Sequence, residues 1–368
     1  MHKKGWLAVV LALLLPVSAM AGGVQLFTFP AQEPPQSLWN MSFAIPAEES
    51  ELVLTFAGDC TLGGEPELRR RADGFAQTVE KEGMAYPFSG LLPLFSADDV
   101  TLVNLEGVLS ESTANRAEKQ FTFIGDPAYT EILSLGSVEA VTLANNHTMD
   151  FGRRGYEDTR EALSAAGIGQ LTQEQVLVIQ KDGYRIGLTA SVFGLNAADQ
   201  QQLTAQMDAL KALGCHAILH VMHAGVEYAD QPSRQQRDVA RLAAEQGAML
   251  VVGHHPHVVQ GVEWVEGVPV FYSLGNTCFG GNLNPSVRQG ALLRVHFRFA
   301  EGELARMDWQ LHPIAISGGA SGNDYCPQRL TGEEAEPVIQ RINHLSGISL
   351  EPVADFPGGW TVTLKTDN

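Results

Sequence analysis

Short apolar runs that end in polar, metal-binding side chains recur along this chain, and few folds accommodate them. The clearest run is at 251–260 (V-V-G-H-H-P-H-V-V-Q), where glycine ends a β-branched stretch and three histidines follow within four residues. This order is typical of a buried strand that opens into a loop. A neutral imidazole binds metal ions near pH 7, and Pro256 stiffens the turn that carries His255 and His257. Taken alone, the segment also fits a histidine-rich surface turn.

The same pattern occurs at four other places. Apolar runs at 52–57, 100–105, 140–144 and 217–222 each lead into polar residues. Together with the run at 251–260, these ends carry Asp59, Glu106, Asn146 with His147, His223, and His255 with His257. The ends of neighbouring strands can lie side by side at one edge of an α/β sheet, so residues distant in sequence can converge there. Carboxylate, amide oxygen and imidazole together suit manganese, iron or zinc. We therefore expect one or two divalent metal ions at this edge.

Strand and helix patterns alternate over most of the chain, which indicates an α/β fold. The predicted helices are at 127–135, 155–166, 200–213 and 233–246. Strands 176–180 and 184–190 are predicted to form a hairpin, because Asp182-Gly183 between them is a strong turn signal. The C-terminal part, 291–368, is interpreted as an antiparallel pair (291–299 and 307–316), a helix at 333–345 and a closing strand at 361–364. We interpret 51–368 as one domain.

The first 21 residues have the order of a secretory signal peptide. Lys3 and Lys4 precede an apolar run at 6–15, and Ala19-Met20-Ala21 forms a small-x-small cleavage site. No later stretch approaches the length that a membrane helix needs. We expect an exported chain, periplasmic or secreted, with no membrane span after cleavage; an uncleaved N-terminal anchor is the alternative. Residues 22–50, with several prolines, are interpreted as an extended lead-in.

The charge of the chain bears on its partners. A net charge of −18 argues against nucleic acid, whose phosphates need a basic surface. An acidic surface also disfavours anionic polymers away from a cleft that holds a metal. With 45% hydrophobic residues, the chain can form a large core.

The chain has four cysteines, Cys60, Cys215, Cys278 and Cys326, which are too few and too scattered for a disulfide scaffold. Disulfides are permitted in an exported protein. Cys60 and Cys278 each follow a predicted strand closely, so a bridge between them, or from Cys278 to Cys326, is a hypothesis.

Six motifs, in this order, resemble the signature of the capsule synthesis protein CapA family, which is associated with poly-γ-glutamate. They are G-D at 58–59, N-L-E-G at 104–107, A-N-N-H-x-x-D-x-G at 144–152, H-x-G-x-E-Y at 223–228, H-P-H at 255–257 and Y-S-L-G-N at 272–276. The resemblance covers roughly 52–346. That family is related to the calcineurin-like metallophosphatases. The resemblance therefore implies an αββα sandwich, two mixed β-sheets flanked by helices, with a metal site at one edge.

The resemblance also implies a role for each matching residue. Asp59 and Glu106 would be carboxylate ligands, with Glu106 as the bridge, and Asn146 would be an amide ligand. The imidazole ligands would be His223, His255 and His257. His147 would stand beside the metal as the acid that protonates a leaving group or stabilises the transition state. The residues expected to orient these ligands or to contact substrate are Asn104, Asp150, Glu227, Tyr228 and Asn276. For Glu227 and Tyr228, a capped turn with a packed ring is the alternative.

Some positions depart from the pattern or fall outside it. Thr61 stands where the first phosphatase motif has a histidine, so one of two metal subsites is expected to be weaker or differently built. An aromatic residue is expected after Gly275-Asn276, and the chain has Thr277-Cys278 instead. His254 is interpreted as incidental, and His220 as a core histidine or one that orients a ligand.

These patterns favour an exported, metal-dependent hydrolase of the CapA type. Its implied role is the synthesis, export or tailoring of poly-γ-glutamate or a related anionic surface polymer, and the bond cleaved would be an amide or a phosphoester. The expected partners are an anionic polymer or a small-molecule substrate, and capsule-assembly proteins. One alternative is a periplasmic metallophosphoesterase that acts on small phosphorylated substrates, with Arg153 and Arg154 as a basic clamp. The other is a non-catalytic scaffold of a capsule-assembly complex.

Overall fold

The computed structural model of the protein describes residues 18–19, 23–31, 46–194, 196–319, 322–353 and 359–362. The strands of the N-terminal half are β1 (Ser18–Ala19), β2 (Gln25–Pro30), β3 (Glu49–Thr61), β4 (Val100–Leu105), β5 (Val108–Leu109), β6 (Ile124–Gly125), β7 (Ala140–Thr142), β8 (Gly169–Leu171), β9 (Gln175–Lys181) and β10 (Tyr184–Val192). Those of the C-terminal half are β11 (Ala217–His223), β12 (Leu250–His254), β13 (Val262–Val265), β14 (Val268–Phe271), β15 (Asn276–Phe279), β16 (Gln289–Ala300), β17 (Glu303–Ala315), β18 (Gln328–Arg329), β19 (Leu350–Pro352) and β20 (Trp360–Val362).

The α-helices are α1 (Phe75–Glu82), α2 (Leu92–Phe95), α3 (Thr130–Leu135), α4 (Gly152–Ala165), α5 (Ala197–Ala212), α6 (Arg234–Glu245) and α7 (Glu336–Ser346). Short 3₁₀ turns lie at Pro66–Leu68, Pro127–Tyr129 and Gly332–Glu334. The helices α5 and α6 begin at capping boxes, with Asn196 and Ser233 as the N-cap residues. Each box satisfies backbone N–H groups at the helix start reciprocally, which explains where these two helices begin.

Two mixed sheets form the centre of the fold. The first sheet has the order β1-β2-β9-β10-β11-β12-β14-β13, and β10, β11, β12 and β14 run parallel. The second sheet has the order β19-β20-β17-β16-β3-β4-β7-β8, with β15 beside β3 and β18 beside β17. In it, β3, β4, β7 and β8 run parallel. The parallel strands of each sheet therefore end at a common edge.

The central strands are buried on both faces, which is why they read as continuous apolar runs. In β11, Leu219 and Val221 belong to the core between the two sheets, whereas Ile218 and Met222 pack among residues of α5 and α6. Strand β4 divides in the same way, because Leu102 faces the core between the sheets and Val103 faces the outer helices. Helices thus cover the outer face of each sheet, and the predicted α/β sandwich is confirmed.

The lead-in contains an element that the sequence analysis did not predict. Strand β2 pairs antiparallel with β9, from Gln25 opposite Gln180 to Pro30 opposite Gln175. The predicted signal peptide lies outside the described residues except for Ser18–Ala19, which pair with β2. The end of the predicted closing strand, beyond residue 362, also lies outside them. The predicted C-terminal hairpin and helix correspond to β16, β17 and α7.

Neither predicted disulfide is present, because all four cysteines are free in the structure. The Cys60 and Cys278 side chains are nevertheless hydrogen-bonded neighbours, and this contact, together with burial, raises the pKa of Cys278 well above its usual value. The Cys278 thiol also donates to the Tyr325 carbonyl at 3.4 Å. Cys60 and Cys278 are therefore neighbours, as the sequence suggested, but no disulfide joins them.

Among the helices in the described part of the chain, none combines the length and the apolar character required to cross a bilayer.

Candidate metal centre

The candidate site lies where the common edges of the two sheets meet. One sheet contributes residues at or just beyond the ends of β3, β4 and β7, and the other contributes residues at the ends of β11 and β12. The side chains brought together are Asp59, Glu106, Asn146, His147, His223, His255 and His257. All of them are buried except Asn146, which is half-buried. The convergence expected from the strand ends is therefore present.

Glu106 is at the centre of this cluster. Its Oε1 lies 3.6 Å from His223 Nε2, 3.8 Å from His147 Nε2 and 3.9 Å from His257 Nε2. Glu106, His255 and His257 each offer a ligand atom, and these atoms lie within 4.8 Å of one another. This spacing fits side chains that surround one small ion.

Asp59 has partners on several sides. Its Oδ2 lies 3.0 Å from His257 Nδ1 and accepts from the His255 backbone N–H at 3.3 Å. Its Oδ1 accepts from Asn104 Nδ2 at 2.8 Å and lies 3.4 Å from His254 Nδ1. Asp59 thus joins the two strand ends β3 and β12.

Three asparagines lie against ring nitrogens of the histidines. Asn104 Nδ2 lies 3.2 Å from His223 Nδ1, and Asn276 Oδ1 lies 2.9 Å from His257 Nδ1. Asn146 Oδ1 is 2.7 Å from His223 Nε2. Side chains that bind the second nitrogen of a histidine set its tautomer and ring orientation.

His147 is held by a group on its far side. Its Nδ1 lies 2.7 Å from Asp150 Oδ2, while its Nε2 faces Glu106. Lys119 Nζ lies 2.5 Å from Asp150 Oδ1 and donates to the Asn146 carbonyl at 2.9 Å. Lys119 Nζ also lies 3.2 Å from His147 Nδ1, but the shorter contact to the Asp150 carboxyl favours a proton on Nδ1, which leaves the lone pair on Nε2.

The backbone around the histidines is unusual. His255 has φ 98° and His257 has φ 58°, a region that residues other than glycine seldom adopt. Just before them, a Cβ at Gly253 would lie 2.1 Å from the Tyr272 carbonyl oxygen, so only glycine fits. Backbone in sparsely populated conformations clusters at functional sites, where the surrounding structure maintains it.

The pKa values of the carboxylates reflect their surroundings. Burial alone would raise the pKa of Asp59, but contacts with the rings of His254 and His257 hold it well below its usual value. Burial raises the pKa of Glu106 well above its usual value, against the opposing charge of His257. Neighbouring groups therefore offset the cost of burying a charge on Asp59, but they do not offset it for Glu106.

The histidines differ in the same way. Burial lowers the pKa of His223 well below its usual value and that of His255 to about 4, and it also lowers the pKa of His147. Burial would lower the pKa of His257 too, but Glu106 and Asp59 raise it to about 10. The first three rings are therefore neutral near pH 7, which is the form that binds metals. His257 is the exception because the charges of Glu106 and Asp59 act on its ring.

The donor set fits a divalent ion. Both Glu106 carboxylate oxygens and His255 Nδ1 are buried and have no hydrogen-bond partner among the described residues. A buried carboxylate is costly unless it is paired or coordinates a metal. Mixed oxygen and nitrogen donors suit manganese, iron or zinc, and binding would displace the His257 proton.

Other sequence expectations have different outcomes. His254 is not incidental, since its buried ring lies beside Asp59. His220 is a core histidine, bonded to Thr189 and Ser191. Thr61 donates to the Glu106 backbone carbonyl at 2.8 Å and so holds that residue in place. Glu227 is exposed and acts on Glu106 only through its charge.

Tyr228 and the two arginines lie at the edge of the site or outside it. The Tyr228 side chain is exposed, and its ring centroid lies 6.2 Å from that of His257. Arg153 and Arg154 pair with Glu157 and Asp158 of their own helix, at 2.7 and 2.6 Å. Both arginine side chains are largely exposed, and their described ion pairs are with their own helix.

Three residues of the site were missed. Lys119 lies in an irregular loop with no periodicity to mark it, and Phe123 in the same loop stacks near His147 at a centroid distance of 4.4 Å. Asn145 bonds Asn104 and the Leu105 carbonyl and accepts from the His147 N–H. Only Asn145, within the quoted motif at 144–152, had a sequence signal.

Comparisons with known proteins identify relatives of the chain. Residues 53–281, more than half of the chain, match the family described as Bacterial capsule synthesis protein PGA_cap. The chain is 27% identical over 269 residues to the PGA biosynthesis protein CapA of Bacillus subtilis (strain 168), covering 67% of this chain and 68% of that protein. It is 27% identical over 278 residues to the Capsule biosynthesis protein CapA of Bacillus anthracis, covering 68% of this chain and 65%, just under two thirds, of that protein.

A more distant relative is a probable polyglutamine synthesis accessory protein of Mycobacterium tuberculosis (strain CDC 1551 / Oshkosh). It is 24% identical over 282 residues, covering 61% of this chain and 73% of that protein. The segment that matches the family contains every candidate ligand from Asp59 to His257. The chain therefore belongs to the bacterial capsule synthesis protein family PGA_cap.

Proposed function

We propose that this protein is an exported, metal-dependent hydrolase that serves the synthesis of poly-γ-glutamate or a related capsular polymer. The observation that carries the metal is Glu106, a fully buried carboxylate with no hydrogen-bond partner among the described residues, facing three histidines. The role in polymer synthesis is supported by family membership and by the names of the relatives. Export is supported by the signal-peptide pattern of the first 21 residues.

The residues that would hold the metal are Asp59, Glu106, Asn146, His223, His255 and His257. We propose manganese, iron or zinc, as one ion or two, because the donors are oxygen and imidazole nitrogen. A bound ion supplies a more acidic water molecule and polarises the bond to be cleaved.

The residue that would move a proton is His147. Asp150 fixes its ring through Nδ1, and Lys119 in turn fixes Asp150. The Nε2 atom therefore faces the centre of the site, where it can take up a proton and then pass it to a leaving group. Phe123 covers the ring and limits its access to water. Asn104 and Asn276 hold the rings of His223 and His257 in place.

The first experiment separates metal binding from catalysis. The mature protein, the double variant His255→Ala/His257→Ala, and His147→Asn are purified without chelator and analysed for metals. We expect stoichiometric metal in the parent and in His147→Asn, and loss of metal in the double variant. Hydrolysis is then assayed on γ-glutamyl amides and on phosphoesters. Loss of a general acid or base typically reduces the rate by about 10²–10⁴-fold, so His147→Asn should fall by that amount.

The control is His344→Ala, an exposed histidine on α7, which should keep both metal and activity. Hydrolysis of phosphoesters alone would favour the phosphoesterase alternative. Two results together would favour the scaffold. The metal-loaded parent would cleave neither class of substrate, and His147→Asn would support polymer synthesis as well as the parent does. A parent without metal, even after reconstitution, would contradict the proposal.

A further inference from the structure

An open groove begins beside the candidate metal centre. Its cavity volume is about 440 Å³, and its walls include Tyr228, Val258 and Arg341. Val258 directly follows His257, and the Tyr228 ring lies 6.2 Å from the His257 ring between centroids. The groove is therefore next to the metal centre, where a long chain bound at that centre can reach it.

The groove has the opposite charge to the protein as a whole. Its lining carries two arginines, Arg288 and Arg341, and one acid, Asp230, whereas the chain has a net charge of −18. A local positive charge in an acidic protein draws anionic ligands to that place and away from the rest of the surface.

Arg288 is held by neutral groups. Its Nη1 donates to the Gly319 carbonyl and its Nη2 to the Gly322 carbonyl, each at 2.8 Å. Among the described residues no carboxylate forms an ion pair with it. These bonds fix the guanidinium in position without neutralising its charge, and a guanidinium has five N–H donors. Arg288 therefore keeps both charge and donors for a ligand.

Arg341 also lines the groove and is held by two contacts. Its Nε donates to the Val259 carbonyl at 3.2 Å, and its Nη2 pairs with Asp230 Oδ1 at 2.7 Å. The Asp230 side chain is 61% exposed. Because exposed ion pairs are weak, a ligand carboxylate can compete for Arg341.

We infer that this groove is a binding subsite for the carboxylates of an extended acidic chain, with Arg288 and Arg341 as its recognition residues. A guanidinium pairs with a carboxylate through two parallel N–H···O bonds, which gives both strength and orientation. Two arginines in one cavity of about 440 Å³ fit a chain with repeated carboxylates better than a single small anion. The inference rests on the proposed function only for the identity of the chain, since the charge and geometry of the groove do not depend on the metal.

The test is a direct binding measurement without turnover. A fluorescently labelled γ-linked oligoglutamate of about ten residues is titrated against the parent, Arg341→Gln, and Arg288→Gln/Arg341→Gln. The control is Arg306→Gln, an exposed arginine on β17 that pairs with Asp308 and removes the same charge away from the groove. We expect affinity to fall several-fold in the single variant and at least about tenfold in the double variant, since each substitution removes a charge-assisted hydrogen bond to the ligand. Arg306→Gln should bind like the parent.

Two further measurements, thermal unfolding and metal content, separate a loss of ligand binding from a loss of folding or of metal. Thermal unfolding checks that the variants are folded, and Arg341→Gln tests the groove even if loss of Arg288 disturbs the loop that it holds. Metal content is measured in the same samples, so a failed metal centre is seen separately from a failed groove. Equal affinity in all folded variants would overturn the inference. Binding of inorganic phosphate, but not of the oligoglutamate, at these arginines would also overturn it, because the ligand would then be a phosphate.

Discussion

At the residue scale, Asp59 and Glu106 are both fully buried carboxylates, but their partners differ. Asp59 accepts from Asn104 and lies against two histidines, whereas neither Glu106 oxygen has a hydrogen-bond partner among the described residues. The structure therefore compensates the first within the protein and leaves the second to be compensated by a ligand. For this reason, Glu106 is the residue that most strongly indicates a bound metal ion.

A third carboxylate shows what burial does outside the site. Burial raises the pKa of Asp98 to about 7, although Thr101 Oγ1 donates to it at 2.9 Å. The unfolded value is about 3.9. The folded state therefore holds the proton more tightly, so the contribution of Asp98 to the free energy of unfolding is highest below about pH 4 and is lost as the pH rises to about 7.

We predict that Asp98→Asn stabilises the protein in a pH-dependent way. The difference in free energy of unfolding between Asp98→Asn and the parent should be about 3 kcal/mol more positive at pH 8 than at pH 4.5. Each unit of pKa shift corresponds to about 1.4 kcal/mol, and most of the rise from about 3.9 to about 7 falls between these two pH values. Urea unfolding at both pH values measures this. The control Asp208→Asn, at a well-exposed position, should show no pH-dependent difference. A constant offset for Asp98→Asn at both pH values would contradict the prediction.

At the scale of elements, the site depends on the close approach of β3 and β15. The Gly58 N–H donates to Thr277 Oγ1 at 2.8 Å, and the Asp59 N–H donates to the Gly275 carbonyl at 2.9 Å. A Cβ at Gly58 would lie 2.0 Å from the Gly275 carbonyl oxygen. Thr277, which departs from the family pattern, thus helps to position the strand that carries Asp59.

We predict that Gly58→Ala destabilises the protein by about 2–3 kcal/mol, which is the upper range for overpacking a tight site. Because the displaced strand carries Asp59, metal affinity should fall as well. Urea unfolding and metal titration measure the two effects. Gly302→Ala is the control, since a Cβ there would meet no atom within 4 Å; its positive φ should reduce stability while metal affinity stays unchanged. Parent-like metal binding in Gly58→Ala would count against the role given to this contact.

At the scale of the whole molecule, the candidate ligands come from both sheets. Asp59, Glu106 and Asn146 lie at or just beyond strand ends of one sheet. His223, His255 and His257 lie at or just beyond strand ends of the other. Besides the core, the two sheets are joined at this edge by side-chain contacts. Asn104 and Asn146 contact His223, and Asp59 contacts His257. A bound ion would therefore tie the two sheets together.

We predict that chelation lowers the melting temperature of the metal-loaded parent by about 5–10 °C. A ligand at about 100 times its dissociation constant contributes about 2.7 kcal/mol, and about 1 kcal/mol corresponds to about 2–4 °C in a protein somewhat smaller than this one. Calorimetry with and without chelator measures the shift. The variant Glu106→Gln should show little or no shift. A similar fall in both proteins would mean that Glu106 does not contribute to metal binding.

The sequence by itself determined the strand ends and their polar side chains. Apolar runs and turn residues are local signals, so β3, β4, β11 and β12 could be predicted together with the residues that follow them. The alternation of side chains along a strand also placed His223 and His220 on opposite faces. Family membership was predictable because six motifs resemble the family signature, and the sandwich fold was implied by that resemblance.

Only the tertiary structure decided which of these side chains meet. Strand order and register are set by packing between distant segments, so no local signal places Asn104 between Asp59 and His223, or His254 against Asp59. Lys119 reaches Asp150 from an irregular loop, and β2 joins the first sheet from a segment interpreted as a lead-in. Arg288 lies in the loop before β16 and Arg341 lies in α7, and the two share a cavity only in the folded chain. Sequence therefore specified the chemical groups at the edge of each sheet, and the packing of the two sheets specified the site.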